Sequence, residues 1–534
     1  MGSSSSTRRR APGGLTAASA ATGVVFAAPL GYVLWRNIDL RADFGDVVWS
    51  SNTLDPLRRS LVLGASVSIS AAVLGTALAW LIVRSDLPGR RLWRVVAPLP
   101  LVFPSFVGAS ALISGFATGG LLERVVQPLG VDSLPELSGF RAAWFVLTLF
   151  TYPYVYLPVA ARLRRLPASL EESARLLGRR PASVFATIVL PQTRTAVSAG
   201  TLLVFLYTVS DFGAVELLRH DTLTRAIYAN RLVDQPTSMA LSLLLGLVAI
   251  GVVAAERALV RRDPPLAAHS GGSSMQVSLG HWRWPALAAV VAFVGFAIVG
   301  PVSSLAYWTI RGIDSTRSTG SLAVSAEGLG GAVSNTVIIS VVTAVATVIA
   351  VLPIAYLTTR YRNRVGDAAN GLVVGGFALP GLVTALALVF WVLNTPALAA
   401  LYQTLPILLL AYVIHFGAVA SRASQVAVAS VPLPVEDAAR MLGAGRVRRF
   451  LTIETPLMAR GLIAAAGLVL LSAMKELPAT LLLAPIGFDT LATRIWAAMD
   501  TVSYAQAGLE SMVLLAVSAV LTWLFVIRAA DRLD

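Results

Sequence analysis

Pro167-Ala-Ser-Leu-Glu-Glu-Ser-Ala-Arg-Leu-Leu-Gly178 and Pro432-Leu-Pro-Val-Glu-Asp-Ala-Ala-Arg-Met-Leu-Gly443 are two versions of one polar stretch, 265 positions apart, each set between long apolar runs. Phe185, Thr187, Ile188 and Pro191 follow the first copy, and Phe450, Thr452, Ile453 and Pro456 follow the second at the same offset. Leu170, Ala174 and Leu177 fall at i, i+4 and i+7, one face of a helix, and so do Val435, Ala439 and Leu442. Pro167 and Pro432 stand where a helix can begin. Gly178 and Gly443 occupy the position where a left-handed residue closes a helix. The acidic pairs Glu171-Glu172 and Glu436-Asp437 fall in the first turn, where the helix dipole favours them. Pro181 is placed to start a second short helix ending near Pro191. An ordinary capped interfacial helix accounts for either copy alone. Two copies with matched spacing point to a two-fold device that docks onto something in the cytoplasm.

The surroundings are membrane-like. Of 534 residues 56% are hydrophobic and 13% charged, against about 25% charged in a soluble domain. Twelve runs are long and apolar enough to span, near 15–36, 60–83, 95–117, 142–161, 195–215, 238–259, 284–308, 333–359, 370–393, 402–421, 460–483 and 507–527. They are uninterrupted, unlike the alternating strands of a membrane barrel. With the N-terminus inside, 29 of the 42 Lys and Arg fall in inner segments and 13 in outer ones, which predicts both termini in the cytoplasm. The net charge of +14 has the same origin, so no nucleic-acid partner is expected: that would need one coherent basic face. With no cysteine, disulfides and thiolate chemistry are excluded, and four scattered histidines make no metal cluster. Met1-Gly2 formally fits a myristoylation pattern, and Arg8-Arg9 before an apolar run resembles an export signal. Leu15 to Trp35 is long enough to span and shows no clear cleavage site, so it reads as the first transmembrane helix.

The duplication extends beyond the polar stretch. Ser60 to Arg84 matches Thr336 to Arg360, and Leu99 to Pro104 matches Phe377 to Pro380, at offsets near 276. The difference from 265 is a longer loop in the first half, around Leu121 to Arg141. Residues 263–281 are polar and Gly/Ser-rich, as in a flexible linker. The expected organisation is a first transmembrane domain at 1–262, a cytoplasmic linker at 263–281 and a second domain at 282–534. The fold class is an all-α integral membrane protein of about twelve transmembrane helices. Six spans per half give both halves the same orientation, so the repeats are parallel, with a pseudo-two-fold axis along the membrane normal and a pathway between them.

Each polar stretch is followed by a span that ends in a matched acid, Asp211 in Ser210-Asp-Phe-Gly-Ala-Val-Glu216 and Glu476 in Lys475-Glu-Leu-Pro-Ala-Thr. An ionisable group deep in a span costs about 3 kcal/mol or more, so it faces protein or water. One reading puts Asp211, Glu216, Lys475 and Glu476 on a translocation path or outer gate attractive to a cation; ferric iron suits such hard oxygen donors. The other has them solvated at an outer mouth, with Lys475 and Glu476 paired locally. No metal-ligand set is assigned. Lys475 is the only lysine, and no phosphate-binding Gly-x-x-x-x-Gly-Lys-[Ser/Thr] includes it, so no nucleotide or other cofactor is expected in this chain.

The pattern Glu-x-Ala-x-x-x-Gly, nine residues, Ile-x-x-Pro resembles the "EAA" loop of bacterial ABC importer permeases. It stands as Glu172-Ser-Ala174…Gly178…Ile188-Val-Leu-Pro191 and as Asp437-Ala-Ala439…Gly443…Ile453-Glu-Thr-Pro456. Ser173, Asp437 and Thr455 depart mildly from the pattern. The resemblance covers nearly the whole chain as two fused permease domains and implies the type I importer permease fold. It makes Glu171, Glu172, Ala174, Gly178, Glu436, Asp437, Ala439 and Gly443 the ATPase-coupling residues. It implies a cytoplasmic ABC ATPase dimer that carries ATP-Mg and an extracytoplasmic solute-binding protein as partners, in the lipid bilayer of the bacterial cytoplasmic (inner) membrane. Ser210-Asp-Phe-Gly213, Lys475 to Leu483, Thr490 to Trp496 and Thr224-Arg-Ala-Ile-Tyr228 resemble ferric-iron permeases in particular. Thiamine, polyamine and sulfate permeases share much of this layout and remain alternatives. The outer loops around Arg219-His220-Asp221 and Phe488 to Arg494 are expected to meet the binding protein. An ion-coupled secondary transporter would move its solute without an ATPase, and a membrane-embedded enzyme would need a converging catalytic set that the sequence does not present.

Overall fold

Backbone amides have no water to bond to inside a bilayer, so apolar runs of this length satisfy themselves as helices. The computed structural model describes residues 11–39, 45, 47–130, 133–166, 168–179, 181–261, 277–317, 324–361, 363–376 and 379–524. Arg8 to Arg10, Pro167 and most of the linker lie outside them. Among the described residues ten helices are long and apolar enough to cross a membrane, or twelve if two sharply bent pairs each count as one span.

The elements that position the functional residues run as follows in the first half. Helix α1 is Gly13–Asp39, α2 Ser51–Arg84, α3 Arg90–Val96, α4 Ser105–Phe116, α5 Pro153–Arg165, α6 Ala168–Leu176, α7 Leu190–Ser210 and α8 Gly213–Leu217. In the second half α9 is Arg283–Arg317, α10 Leu329–Tyr356, α11 Arg364–Gly376, α12 Gly381–Leu393, α13 Leu405–Ala429, α14 Leu433–Met441, α15 Thr455–Ala473 and α16 Pro478–Leu483.

The spans expected near 95–117 and 370–393 are broken. The segment Arg90–Val102 meets α4 at 92°, and α11 meets α12 at 102°. Pro98, Pro100 and Pro104 supply no amide donors at the first break, and Pro380 stands immediately before α12 at the second.

The helix expected from Pro181 does not end near Pro191. It runs through Phe185–Val189, a π-helical turn, directly into α7. The second copy repeats this at Phe450–Glu454 before α15. Pro191 and Pro456 remove one amide each and crowd the preceding turn, and the wider π turn accommodates them without breaking the helix.

Two compact units are present, and they do not follow the two halves of the sequence. One comprises 1–44, 326–494 and 513–534; the other comprises 45–325 and 495–512. Within the first unit, α1 packs along α11 and α10. The Phe26 ring lies where a Cβ on Gly417 of α13 would stand, so only glycine fits there. Within the second unit α9 packs on α4, with Trp308 Nε1 donating to the Ser114 carbonyl at 2.8 Å and Arg311 to that of Gly119 at 2.9 Å. The first helix of each sequence half therefore belongs to the body built by the other.

Candidate coupling and pathway sites

The polar stretches form α6 and α14, each closed by glycine. Gly178 and Gly443 both adopt φ of +77°, and Arg179 and Ala444 donate back to the carbonyls of Ala174 and Ala439 at 3.2 and 3.0 Å. These are the long bonds of a Schellman turn. The helices stop at Leu176 and Met441, one residue short of the expected apolar face. Ala174 and Ala439 are buried, but Leu177 and Leu442 project outward at 82% and 88% exposure, beside equally exposed Leu176 and Met441. The helical period ends where the turn begins, so the last leucine of each stretch leaves the inner face.

The paired acids divide the work within each helix. Glu172 is exposed, whereas Glu171 is buried against Arg84 at the end of α2, with Nη2 to Oε1 at 3.0 Å. In the second half Asp437 is exposed and Glu436 is buried against Arg360, with Nε to Oε1 at 3.1 Å. Both arginines also bond the chain just before the short polar helix. Arg84 donates to Leu166 O at 3.4 Å; Arg360 donates to Val428 O and Val431 O at 2.6 and 2.7 Å. Burial pushes the Glu171 carboxyl above its usual range, with Arg84 and Arg175 pulling it back only in part. The sequence placed Arg84 and Arg360 in matching positions but did not identify them as partners of these acids.

The second element carries a further bond set. Arg449 Nε donates to Glu454 Oε1 at 2.5 Å, and Tyr356 OH donates to Glu454 Oε2. The matching positions of the first half hold Val184, Val189 and Trp80, which carry no charge; Trp80 packs on Phe185 at 5.7 Å as Tyr356 does on Phe450 at 5.8 Å. Among the described residues the second element is thus braced by two arginine–glutamate pairs and the first by one.

The matched acids after α7 and α15 act as helix caps. Asp211 Oδ1 accepts from Ala214 N at 2.9 Å at the start of α8, and Thr224 Oγ1 donates to the Asp211 carbonyl at 2.7 Å. Glu476 Oε1 accepts from Ala479 N at 3.1 Å at the start of α16, and Thr480 Oγ1 donates to the Glu476 carbonyl at 2.9 Å. His415 Nε2 lies 3.8 Å from the second Glu476 oxygen. Lys475 is half-buried beside it. Glu216 pairs with Arg225 at 3.0 Å, and burial raises its carboxyl against that attraction. Among the described residues no three His, Asp or Glu side chains converge as a metal site.

Glu216 and Arg225 line a cavity of about 270 Å³ together with Glu136, Arg219, Trp496 and Asp500. Arg219 and Val502, both on its wall, hold left-handed φ values of 52° and 58°, a conformation that costs a residue with a Cβ about 1–2 kcal/mol. His220, on a neighbouring cavity of about 470 Å³, is buried, and that burial lowers its affinity for a proton.

Two repeats of a spanning bundle, each with a glycine-closed polar helix pinned from behind by a buried arginine, define a multi-pass transport permease. The chain belongs to the family of binding-protein-dependent transport system inner membrane components, whose model matches residues 71–263 and 345–534. It is 30% identical to the "Fe(3+)-transport system permease protein FbpB 2" of Haemophilus influenzae over 96% of this chain and 97% of that relative. It is also 30% identical to the "Molybdenum transport system permease protein ModB" of Mycobacterium bovis over 40% of this chain and 84% of that one. The "Sulfate transport system permease protein CysT" of Salmonella typhimurium is 28% identical over 33% of this chain and 62% of its own length. The protein is a multi-pass inner-membrane ABC transport permease.

Proposed function

We propose that this chain carries iron(III) inward, delivered by an extracytoplasmic binding protein and driven by a separate ABC ATPase dimer that holds ATP-Mg. The observation that carries the coupling is the exposed apolar pair at the tip of each docking helix, Leu176-Leu177 and Met441-Leu442, backed by the buried Arg84–Glu171 and Arg360–Glu436 pairs. An apolar tip exposed on a rigid, charged base suits insertion into a partner's groove. In this reading Glu171, Ala174 and Gly178, with Glu436, Ala439 and Gly443, fix the helix to its span, while Glu172 and Asp437 face the ATPase. Closure of the ATPase dimer then moves α6 and α14 together with the spans to which they are pinned, as a rigid-body switch.

The cargo reading rests on near full-length likeness to an iron(III) permease, against partial likeness to the molybdenum and sulfate permeases. The chain is read as permease halves at 1–262 and 282–534 joined by a linker, with both termini cytoplasmic. Asp211 and Glu476 sit at the breaks after α7 and α15, where a capped hinge on the translocation path has to bend; Lys475 and Glu216 flank those breaks. The outer loops at Arg219-His220-Asp221 and 488–494 receive the binding protein.

The deciding experiment is ATP-dependent uptake in proteoliposomes that hold this chain with its copurifying ATPase and binding protein, comparing ferric iron with thiamine, putrescine, molybdate and sulfate. Iron uptake that requires ATP is expected. Uptake of another solute overturns the cargo, and uptake without any ATPase overturns the coupling.

A further inference from the structure

The inner end of the first half contains a cluster of cations that the coupling function does not use. Helix α3 begins Arg90-Arg-Leu-Trp-Arg94, and α5 ends with Arg164-Arg165. Arg94 lies within electrostatic reach of Arg90, Arg91, Arg164 and Tyr156; among the described residues no carboxylate acts on it comparably. Arg94 Nε is buried without a hydrogen-bond partner. Tyr156, 1% exposed, lies within electrostatic reach of Arg94 and Arg164, and its hydroxyl is likewise buried and unpartnered. A general excess of inner arginines explains basic residues at this end of the spans. It does not explain two buried donors left open on residues within electrostatic reach of each other, because such groups are expensive unless something accepts from them.

The second half supplies an internal comparison. The position matching Arg94 is Asn370, and that matching Tyr156 is Ser421. There the polar groups satisfy one another: Ser421 Oγ and Gln425 Nε2 both donate to Asn370 Oδ1 at 2.9 Å. Arg90 and Arg164 are replaced by Gly366 and Ala429. Arg91 is matched by Asp367, so one fold position is closed and without a cation in one half, and open and cationic in the other.

We propose that Arg94, Tyr156 and Arg164, rimmed by Arg90 and Arg91, bind the phosphate of an anionic phospholipid headgroup from the inner leaflet. Arginine suits a phosphate because its planar donors match the oxygens. A membrane lipid, rather than a soluble phosphate, fits the remaining face of α3, where Leu92 and Val95 are 60% and 64% exposed and offer apolar surface to acyl chains. Basic pockets between helices on the cytoplasmic side are suited to such headgroups. The site lies close to the coupling machinery in the chain, because α5 leads directly into α6 and α2, which precedes α3, ends in Arg84.

The test uses the full chain, purified in a neutral detergent and stripped of lipid. Phosphatidylglycerol, phosphatidylcholine and inorganic phosphate are added separately, and the thermal midpoint and the lipid retained in native mass spectrometry are read. Phosphatidylglycerol is expected to be retained and to raise the midpoint. Arg94→Gln and Tyr156→Phe each weaken that response by about tenfold, the equivalent of one charge-assisted hydrogen bond. Arg164→Gln repeats the measurement should Arg94→Gln fail to fold, and Asn370→Ala leaves the response unchanged. An equal response to phosphatidylcholine, saturation of the same shift by inorganic phosphate, or variants that respond like the parent would overturn the proposal.

Discussion

Arg84→Met removes the cation that faces Glu171 and keeps the approximate volume of the side chain. Arg84 and Glu171 are 1% and 5% exposed, so the carboxylate left behind is buried with only the weaker pull of Arg175 beside it, a change that costs up to about 3–5 kcal/mol. Burial already holds the Glu171 carboxyl above its usual range, and Arg84 is the stronger of the two attractions opposing it. Removing Arg84 drives that carboxyl further up. A carboxyl raised in the folded state contributes its stability below its unfolded value and loses it as pH rises through the folded value. The deficit of Arg84→Met is therefore largest at mildly alkaline pH and shrinks on acidification, as Glu171 takes up a proton. Arg84→Met/Glu171→Gln removes both charges and recovers most of the loss, because a buried pair as a whole adds little over neutral packing. The second half behaves differently. Arg360 bonds the Val428 and Val431 carbonyls at 2.6 and 2.7 Å, against the single long bond of Arg84 to Leu166 O at 3.4 Å, so Arg360→Met/Glu436→Gln forfeits two short bonds and recovers less. The assay is thermal unfolding of the detergent-solubilised chain across pH, with ATP-coupled uptake measured in parallel. A deficit for Arg84→Met that is flat in pH, or that deepens on acidification, would refute the reasoning.

Four further outcomes are expected. Leu177→Asp with Leu442→Asp leaves the thermal midpoint within experimental scatter and abolishes ATPase copurification, since both side chains are exposed; retained copurification would remove the docking role. Gly178→Ala, at φ of +77° with open space around the new Cβ, destabilises the turn by about 1–2 kcal/mol and lowers uptake more than it lowers folding, as read by comparing transport with midpoint. Asp211→Asn keeps a side-chain oxygen for Ala214 N, so a pure capping role predicts unchanged uptake and a cationic pathway role predicts loss, whereas Asp211→Ala costs about 1 kcal/mol in either case. His220, held neutral by burial, lowers stability as pH falls below its unfolded value near 6.5, and His220→Gln removes that part of the acid sensitivity in a melting series.

The duplicated polar helices are legible because their signals are local. The acidic first turn and the closing glycine lie within a dozen residues, and both glycines take the expected left-handed conformation. The number and rough position of the spans follow from length and hydropathy in the same way. The breaks at Pro104 and Pro380 were missed because hydropathy continues across them while the backbone turns through 92° and 102°. The outward position of Leu177 and Leu442 was missed because a helical period extends on paper past the turn that ends the helix.

The repeat, the spans and the two short polar helices can therefore be read along the chain, because they are properties of neighbouring residues and their periods. Packing sets Glu171 and Glu436 against Arg84 and Arg360, and makes Asp211 and Glu476 the caps of short helices. It alone placed α1 with the second half and α9 with the first. The physical reason is the same in each case. A buried charge chooses whichever opposite charge or amide the packing brings within about 3 Å, and a helix chooses the surface its shape fits. Neither choice leaves a period or a fixed spacing along the chain.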